Sequence, residues 1–510
     1  MKRILALTLA LMLTLSVCAA FAEAAPYQYA SDFSEGIDGW YPRSAGEAAI
    51  EVTDEGALRI TGRTAAWNSP GRDFPLTDGC AYDLSVEVRQ TAGESVTFIV
   101  SVAHSKYNLE SYENIVTAPV PKGEWVKLEG TYIPYGYDSY VLYVETYGDG
   151  TIDFEMRNFT VRDQALTVEE TADSGMPALK DVYAPYFDFG TSVTRSEASN
   201  RERMAFVGSQ FSIVTPGNEM KPDFLIDVSG SRKASMEDDT AVVLNFGSAV
   251  PMLNWAKANG VKVHGHVFVW HSQTPEAFFH EHYNTAEPYV SREVMLARLE
   301  NFMRQTFEWL EENYPGVVVS YDICNEVIDD STGKLRKSNW LTVVGEDYVH
   351  RAFEIARRCA PEGMMLYYND YNTAWQPKQN GIKNLLVSLQ EEGNIDGYGF
   401  QMHHALNSPT VYAIRACVQN IAGTGLKLRV SELDITVPDN GEASFRAQAK
   451  MYREIMDVLL PYADQIEAVQ VWGVTDNLSW RASGYPLLFN GDFSPKPAYW
   501  VLVDPDYLGE

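Results

Sequence analysis

Cysteine is scarce in this sequence, and what there is lies far apart. Of five cysteines in 510 residues, Cys18 falls in an N-terminal segment that reads as removable, leaving Cys80, Cys324, Cys359 and Cys417. Thiols so widely spaced make no disulfide framework and lack the clustering of a zinc site. Positive charge is also short: 40 Lys and Arg stand against 69 Asp and Glu, a formal net charge of -29. Such an acidic surface repels nucleic acid and anionic lipid, so neither is expected as a partner. Beyond residue 17 no apolar run is long enough to span a bilayer. Apolar residues as a class are not lacking. They make up 45% of the chain against 21% charged, which places it among folded proteins, and its length asks for two or more domains. Aromatic rings are plentiful at 12%. Most belong in cores, but flat rings also suit the C–H faces of sugars.

Lys2 and Arg3 precede an apolar stretch over residues 4–17, followed by small residues in Ala20-Phe21-Ala22 and Ala22-Glu23-Ala24. That order predicts a secretory signal peptide over residues 1–24 and a secreted, extracellular protein. Val17 before Cys18 is a poor fit for lipid attachment. Residues 25–163 then read as short strands with turns between them, for example 57–61, 82–89, 96–102, 125–132, 140–145 and 152–161, the texture of an all-β sandwich. Residues 164–176 read as a linker. From 177 to 510 strands alternate with helices. Strands are expected at 187–191, 211–214, 261–269, 317–324, 364–368, 397–402, 426–431 and 466–472, with helices at 292–312, 348–358, 383–391, 411–421 and 443–460. Eight buried strands alternating with helices fit an α/β (β/α)₈ TIM barrel. A doubly wound sheet would want a glycine-rich turn after its first strand, and Thr191-Ser192-Val193-Thr194 is not one.

Reactive residues of such a barrel collect where its strands end. The fourth ends in Tyr321-Asp322-Ile323-Cys324-Asn325-Glu326 and the seventh in Ser431-Glu432-Leu433-Asp434. A carboxylate in an apolar strand is costly unless paired or used, and strands four and seven lie nearly opposite each other. Glu326 and Glu432 can therefore flank one bond, as glycoside hydrolysis requires: one carboxyl protonates the leaving oxygen and the other attacks the anomeric carbon or activates water. Pairing of each Glu with a barrel cation for stability is the plainer alternative. Metal catalysis is disfavoured, since adjacent His403 and His404 point to opposite faces of a strand.

Residues 264–275, 321–326, 366–373, 399–403 and 431–434, in this order, resemble the catalytic domain of glycoside hydrolase family 10, the β-1,4-xylanases. The resemblance implies retaining hydrolysis with Glu326 as acid/base, Asn325 holding the sugar 2-hydroxyl, Glu432 as nucleophile, and His403 bonded to Glu432 and oriented by Asp434. It places Gln401 beside the nucleophile and gives Asn218, Lys221, His266, Trp270, Gln273, Trp472 and Trp480 to the sugar subsites. Gly217 departs from the family, many of whose members have an acidic residue there; Cys324 replaces an aliphatic residue and reads as packing. Residues 27–162 resemble carbohydrate-binding module family 22 through Asp38-Gly39-Trp40, Gly62-Arg63-Thr64-Ala65-Ala66-Trp67, Tyr112-Glu113-Asn114, Gly123-Glu124-Trp125 and Leu142-Tyr143-Val144-Glu145. By that likeness Arg43, Trp67, Tyr112, Tyr143 and Glu145 form a xylan-binding groove, with Trp67 and Tyr143 as core residues the alternative. The likeness admits a structural calcium, although no loop in the sequence demands one. The expected partners are xylan and xylo-oligosaccharides, with no cofactor, and the chain is expected to act as a monomer. A β-1,4-glucan as substrate, or a non-catalytic glycan-binding protein, are the rival readings.

Overall fold

The computed structural model describes residues 27–43, 48–77, 80–92, 94–106, 109–134, 136–148, 151–164, 176–504 and 506–508. The signal segment with Cys18, and linker residues 165–175, lie outside the described residues. The described residues fall into two compact units.

The first unit is two antiparallel sheets. One runs Ala49–Val52, Leu58–Thr61, Phe154–Asp163, Tyr82–Gln90, Val126–Tyr132, with Gln28–Ser31 also paired to Phe154–Asp163; the other runs Tyr41–Pro42, Pro70–Asp73, Ser139–Thr146, Ser95–Lys106, Leu109–Pro121. Period-two alternation decides which side chains go inward. Leu84, Val86 and Val88 of one sheet meet Phe98, Val100, Val102, Leu142 and Val144 of the other in a shared core. Tyr143 and Glu145, out of phase with Leu142 and Val144, are left on the outer face of the second sheet.

In the second unit a sheet of nine strands closes on itself. Asp188–Val193, Ile213–Pro216, Lys262–Val269, Val318–Asn325, Met365–Asp370, Gly397–Phe400, Lys427–Thr436 and Ile466–Val471 pair in succession, all parallel, and the last returns to the first. The remaining strand, His403–Ala405, adds to the end of Lys427–Thr436. This is the eight-stranded barrel. Its helices form where the sequence supplies a cap and a stripe. In Arg292–Asn313 the Ser291 side chain accepts from Val294 N, and Met295, Leu299, Phe302, Met303, Thr306 and Leu310 are buried at spacings of three and four. Val411–Ala422 is capped likewise, by Thr410 accepting from Ala413 N, whereas Tyr348–Cys359, Lys378–Glu391 and Glu442–Leu459 rest on their buried faces without a side-chain cap. Because every strand runs the same way, the polar residues that end them meet at one mouth. Among the described residues no helix is long and apolar enough to cross a membrane.

Candidate active site

A cleft of about 580 Å³ opens at that mouth. Every barrel residue expected at the site lines it except Asp434, which is buried behind His403.

Glu326 follows the fourth strand with φ 56°, a left-handed conformation uncommon outside glycine. Its backbone is held on both sides: the N–H donates to Asn369 O at 2.9 Å and the carbonyl accepts from Arg336 Nε at 2.9 Å. Two neutral donors reach the side chain, Gln401 Nε2 to Oε1 and Trp270 Nε1 to Oε2, each at 3.0 Å. Gln401 also donates to Asn325 Oδ1 at 3.1 Å. Its hydrogen bonds therefore go to Glu326 and Asn325, whereas the family likeness had set it beside Glu432; the amide is turned toward the fourth strand.

Glu432 has different company. His403 Nε2 meets Oε2 at 2.9 Å, and Asn369 Nδ2 donates to Oε1 at 2.7 Å. Ser431 Oγ donates to Asn369 Oδ1 at 2.6 Å, which turns the amide nitrogen toward the carboxylate. Behind His403, Asp434 Oδ2 takes Nδ1 at 2.8 Å. Burial disfavours a charged imidazole, but the flanking Asp434 and Glu432 prevail and push His403 up to about 10. Burial likewise works against the Glu432 anion, yet the His403 hydrogen bond and charge leave its carboxyl below the ordinary range. The result is a carboxylate held ionised and aimed.

On the cleft wall beside Trp270, Lys221 Nζ donates to Asn218 Oδ1 at 3.1 Å and Gln273 Oε1 at 2.9 Å, and lies 5.1 Å from the Trp270 ring centroid. Burial holds the Lys221 ammonium below its ordinary value. His266 Nδ1 meets buried Asp322 at 2.8 Å, and Trp480 leaves 65% of its surface open at the rim. Cys324 is core, as expected. Asn369 and Tyr371, inside a recognised segment but not singled out, belong to the site too. Glu197, also in the cleft wall, follows the first strand and carried no signal in the sequence.

On the sandwich, Arg43 lies over Tyr143 with Cζ 3.5 Å from the ring centroid, 5.9 Å from that of Tyr112, and donates to Trp67 O at 3.4 Å. Glu145 accepts from Ser101 Oγ at 2.6 Å in the same patch. Trp67 and Tyr112 are 52% and 58% exposed, so neither is core, while Tyr143 is buried beneath Arg43 on the outer face and not between the sheets. Gly71 makes the stacking feasible: a Cβ there would stand 2.7 Å from Arg43 Cγ and Cδ. Among the described residues no three His, Cys, Asp or Glu side chains converge on a metal position.

Comparison with known proteins agrees with this geometry. Residues 178–505 match glycosyl hydrolase family 10, and residues 25–151 match a carbohydrate binding domain. The bifunctional endo-1,4-beta-xylanase XylA of Ruminococcus flavefaciens is 38% identical over 63% of the chain and 33% of its own length. Endo-1,4-beta-xylanase A of Thermotoga neapolitana is 31% identical over 94% of the chain and 46% of its own length, and exoglucanase XynX of Acetivibrio thermocellus 30% over 93% and 44%. The chain thus spans less than half the length of these relatives. Among solved structures, the CBM22-1-GH10 modules of Clostridium thermocellum xylanase 10B, complexed with xylohexaose, superpose with a TM-score of 0.63 at 29% identity, covering 94% of this chain and 97% of that one. With a matched region that takes in the whole barrel and both carboxylate-bearing strands, the chain belongs to glycosyl hydrolase family 10.

Proposed function

We propose that the protein is a secreted, retaining endo-1,4-β-xylanase with a xylan-binding module, and that Glu326 and Glu432 divide the chemistry. One observation carries this reading: two carboxyl groups share a cleft but differ in their partners. Glu432, fixed by His403 and Asn369, is prepared to act as an anion. Glu326 receives only neutral N–H donors among its hydrogen bonds and no imidazolium, and faces the cleft from the opposite strand.

In the first step Glu326 protonates the glycosidic oxygen while Glu432 attacks the anomeric carbon. The C–O bond breaks, the leaving chain departs as an alcohol, and a glycosyl ester of Glu432 remains. In the second step Glu326, now anionic, takes a proton from water as the water oxygen attacks the same carbon and expels Glu432; two inversions give net retention. The indoles of Trp270, Trp472 and Trp480 offer flat surfaces to the sugars. The chemistry needs no cofactor.

The xylanase names of relatives across the chain support xylan as the substrate. The exoglucanase name of another keeps β-1,4-glucan as the second reading, which differs in whether the cleft admits a C6 hydroxymethyl group. Purified protein given xylan, arabinoxylan and carboxymethylcellulose decides between them. Short xylo-oligosaccharides with β-configuration at the first moment of release are expected. Products from the cellulose derivative alone, or α-configured products, would overturn the proposal.

A further inference from the structure

The loop after the eighth strand carries Trp480 and Arg481, and both reach the same buried carboxylate. Asp434 Oδ2 takes His403 Nδ1 at 2.8 Å and Trp480 Nε1 at 3.1 Å, while Oδ1 takes Arg481 Nη1. The same guanidinium donates to His404 O at 2.8 Å and Thr436 Oγ1 at 3.1 Å. Three acceptors on two strands therefore fix its plane. The geometry has a definite requirement. One oxygen of Asp434 must serve both an imidazole and an indole, which sets the rotation of the carboxylate, and the clamp on the opposite oxygen maintains that rotation. An ammonium group could supply the charge but not the fork.

We propose that Arg481 is a positioning residue for the nucleophile: by clamping Asp434 it aims His403 at Glu432, and it couples the exposed Trp480 platform to Glu432 through a single shared oxygen. The inference rests on Glu432 being the nucleophile. It makes sugar stacking on Trp480 and alignment of Glu432 parts of one arrangement, connected by Asp434 and His403 and not by direct contact. The groups that face His403 are Glu432 and Asp434 from the seventh strand, Trp480 with its ring centroid at 4.9 Å, and Trp472 at 6.4 Å. His404 beside it is pushed down to about 4 by burial and brings no charge at neutral pH. Arg481 is thus the cation that balances Asp434 from the side away from the imidazole.

The test uses the full chain with Arg481→Met and Arg481→Lys, an aryl xylobioside bearing a good leaving group, and rapid mixing to read formation of the glycosyl-enzyme. Arg481→Met should slow that step by about 100-fold, the usual effect of a misplaced reacting group. In ¹⁵N spectra the His403 ring signals should shift, because Asp434 is free to rotate away from Nδ1. Arg481→Lys should recover only part of both. A folded Arg481→Met protein that forms the glycosyl-enzyme within about threefold of the parent rate, or shows only a raised KM, would overturn the proposal and reduce Arg481 to a loop support. If Arg481→Met does not fold, a parent-like rate and parent-like His403 signals in Arg481→Lys would overturn it equally. A parent protein that never labels Glu432 would instead defeat the nucleophile assignment, so the two failures are distinguishable.

Discussion

Replacing Glu326 with alanine separates the two steps of the proposed reaction. The carboxyl is held by Trp270 Nε1 and Gln401 Nε2, one donor on each oxygen at 3.0 Å, and both donors come from other strands, Trp270 after the third and Gln401 after the sixth. Removing it vacates a space the size of a small anion with two N–H groups already aimed into it. Loss of general acid–base help commonly costs 10²–10⁴ in rate, or about 3–5 kcal/mol of barrier at 1.36 kcal/mol per tenfold. With xylan, whose leaving group is a poor one, the whole loss should fall on the first step. With a dinitrophenyl xylobioside the leaving group needs no proton, so glycosylation should proceed and deglycosylation should stall. A burst of dinitrophenolate followed by a slow steady state is then expected. Azide should enter the vacated space, attack the ester of Glu432 without needing a base, and restore turnover in proportion to its concentration. Since attack comes from the face Glu326 served, the product is the β-glycosyl azide, identifiable by its anomeric coupling in proton NMR. An α-azide, absence of rescue by azide, formate and acetate alike, or parent-like hydrolysis of xylan would refute the reasoning.

Three further outcomes follow from the same geometry. His403, raised from 6.5 to about 10, contributes stability that is complete below its ordinary value and is lost as pH rises through about 10. Its imidazole should therefore remain doubly protonated in ¹⁵N spectra at pH 8, while the melting temperature declines progressively from about pH 6.5 to about 10, and a neutral ring at pH 7 would contradict this. Asn369→Ala removes the 2.7 Å donor on Glu432; a hydrogen bond to a charged group is worth about 1.5–3 kcal/mol, so kcat/KM should fall by roughly 10- to 150-fold with the fold intact, and unchanged kinetics would exclude a role. Trp67→Ala, at a ring 52% exposed, should abolish retardation on a xylan-containing native gel while shifting stability by no more than about 0.5 kcal/mol; retained binding would remove Trp67 from the groove.

The sequence carries the barrel because its strands are short, continuous apolar runs, and each of the eight was legible within a few residues of its observed limits. Helices with a clean apolar stripe, such as Tyr348–Cys359 and Glu442–Leu459, were equally plain. Arg201–Gln210, Val250–Asn259 and Pro497–Val503 were not, because packing on the barrel rather than a sharp stripe makes them helical. In the sandwich, Leu109–Pro121 was missed because its run of Glu, Ser, Tyr and Asn lies on an outer strand with one open face. The two glutamates could be found because an acid at the end of a buried strand needs a reason. Asn369 was harder: an uncharged amide at a strand end raises no such demand, and its function shows only once Ser431 is seen to turn it toward Glu432. The same limit explains Gln401. Its presence at the mouth could be inferred, but which of two carboxylates it serves is decided by a side-chain rotation that no sequence pattern records.

Gly71 carries a different kind of consequence. It lies across from Tyr41 on one side and Tyr143 on the other, touches no sugar in the proposed groove, and has no side chain to remove. A methyl group at this position would stand 2.7 Å from the stem of Arg43 and 2.8 Å from Val141 Cγ1. Either the strand gives way or the guanidinium lifts from the Tyr143 ring, and the flat surface between Trp67 and Tyr112 loses its middle. A survey that shortens side chains one at a time would pass over this position entirely. In a population of natural variants, Gly71→Ala could silence glycan capture while leaving the barrel's chemistry and every aromatic contact residue unaltered, so a chain could lose half of its job through the gain of a single carbon atom.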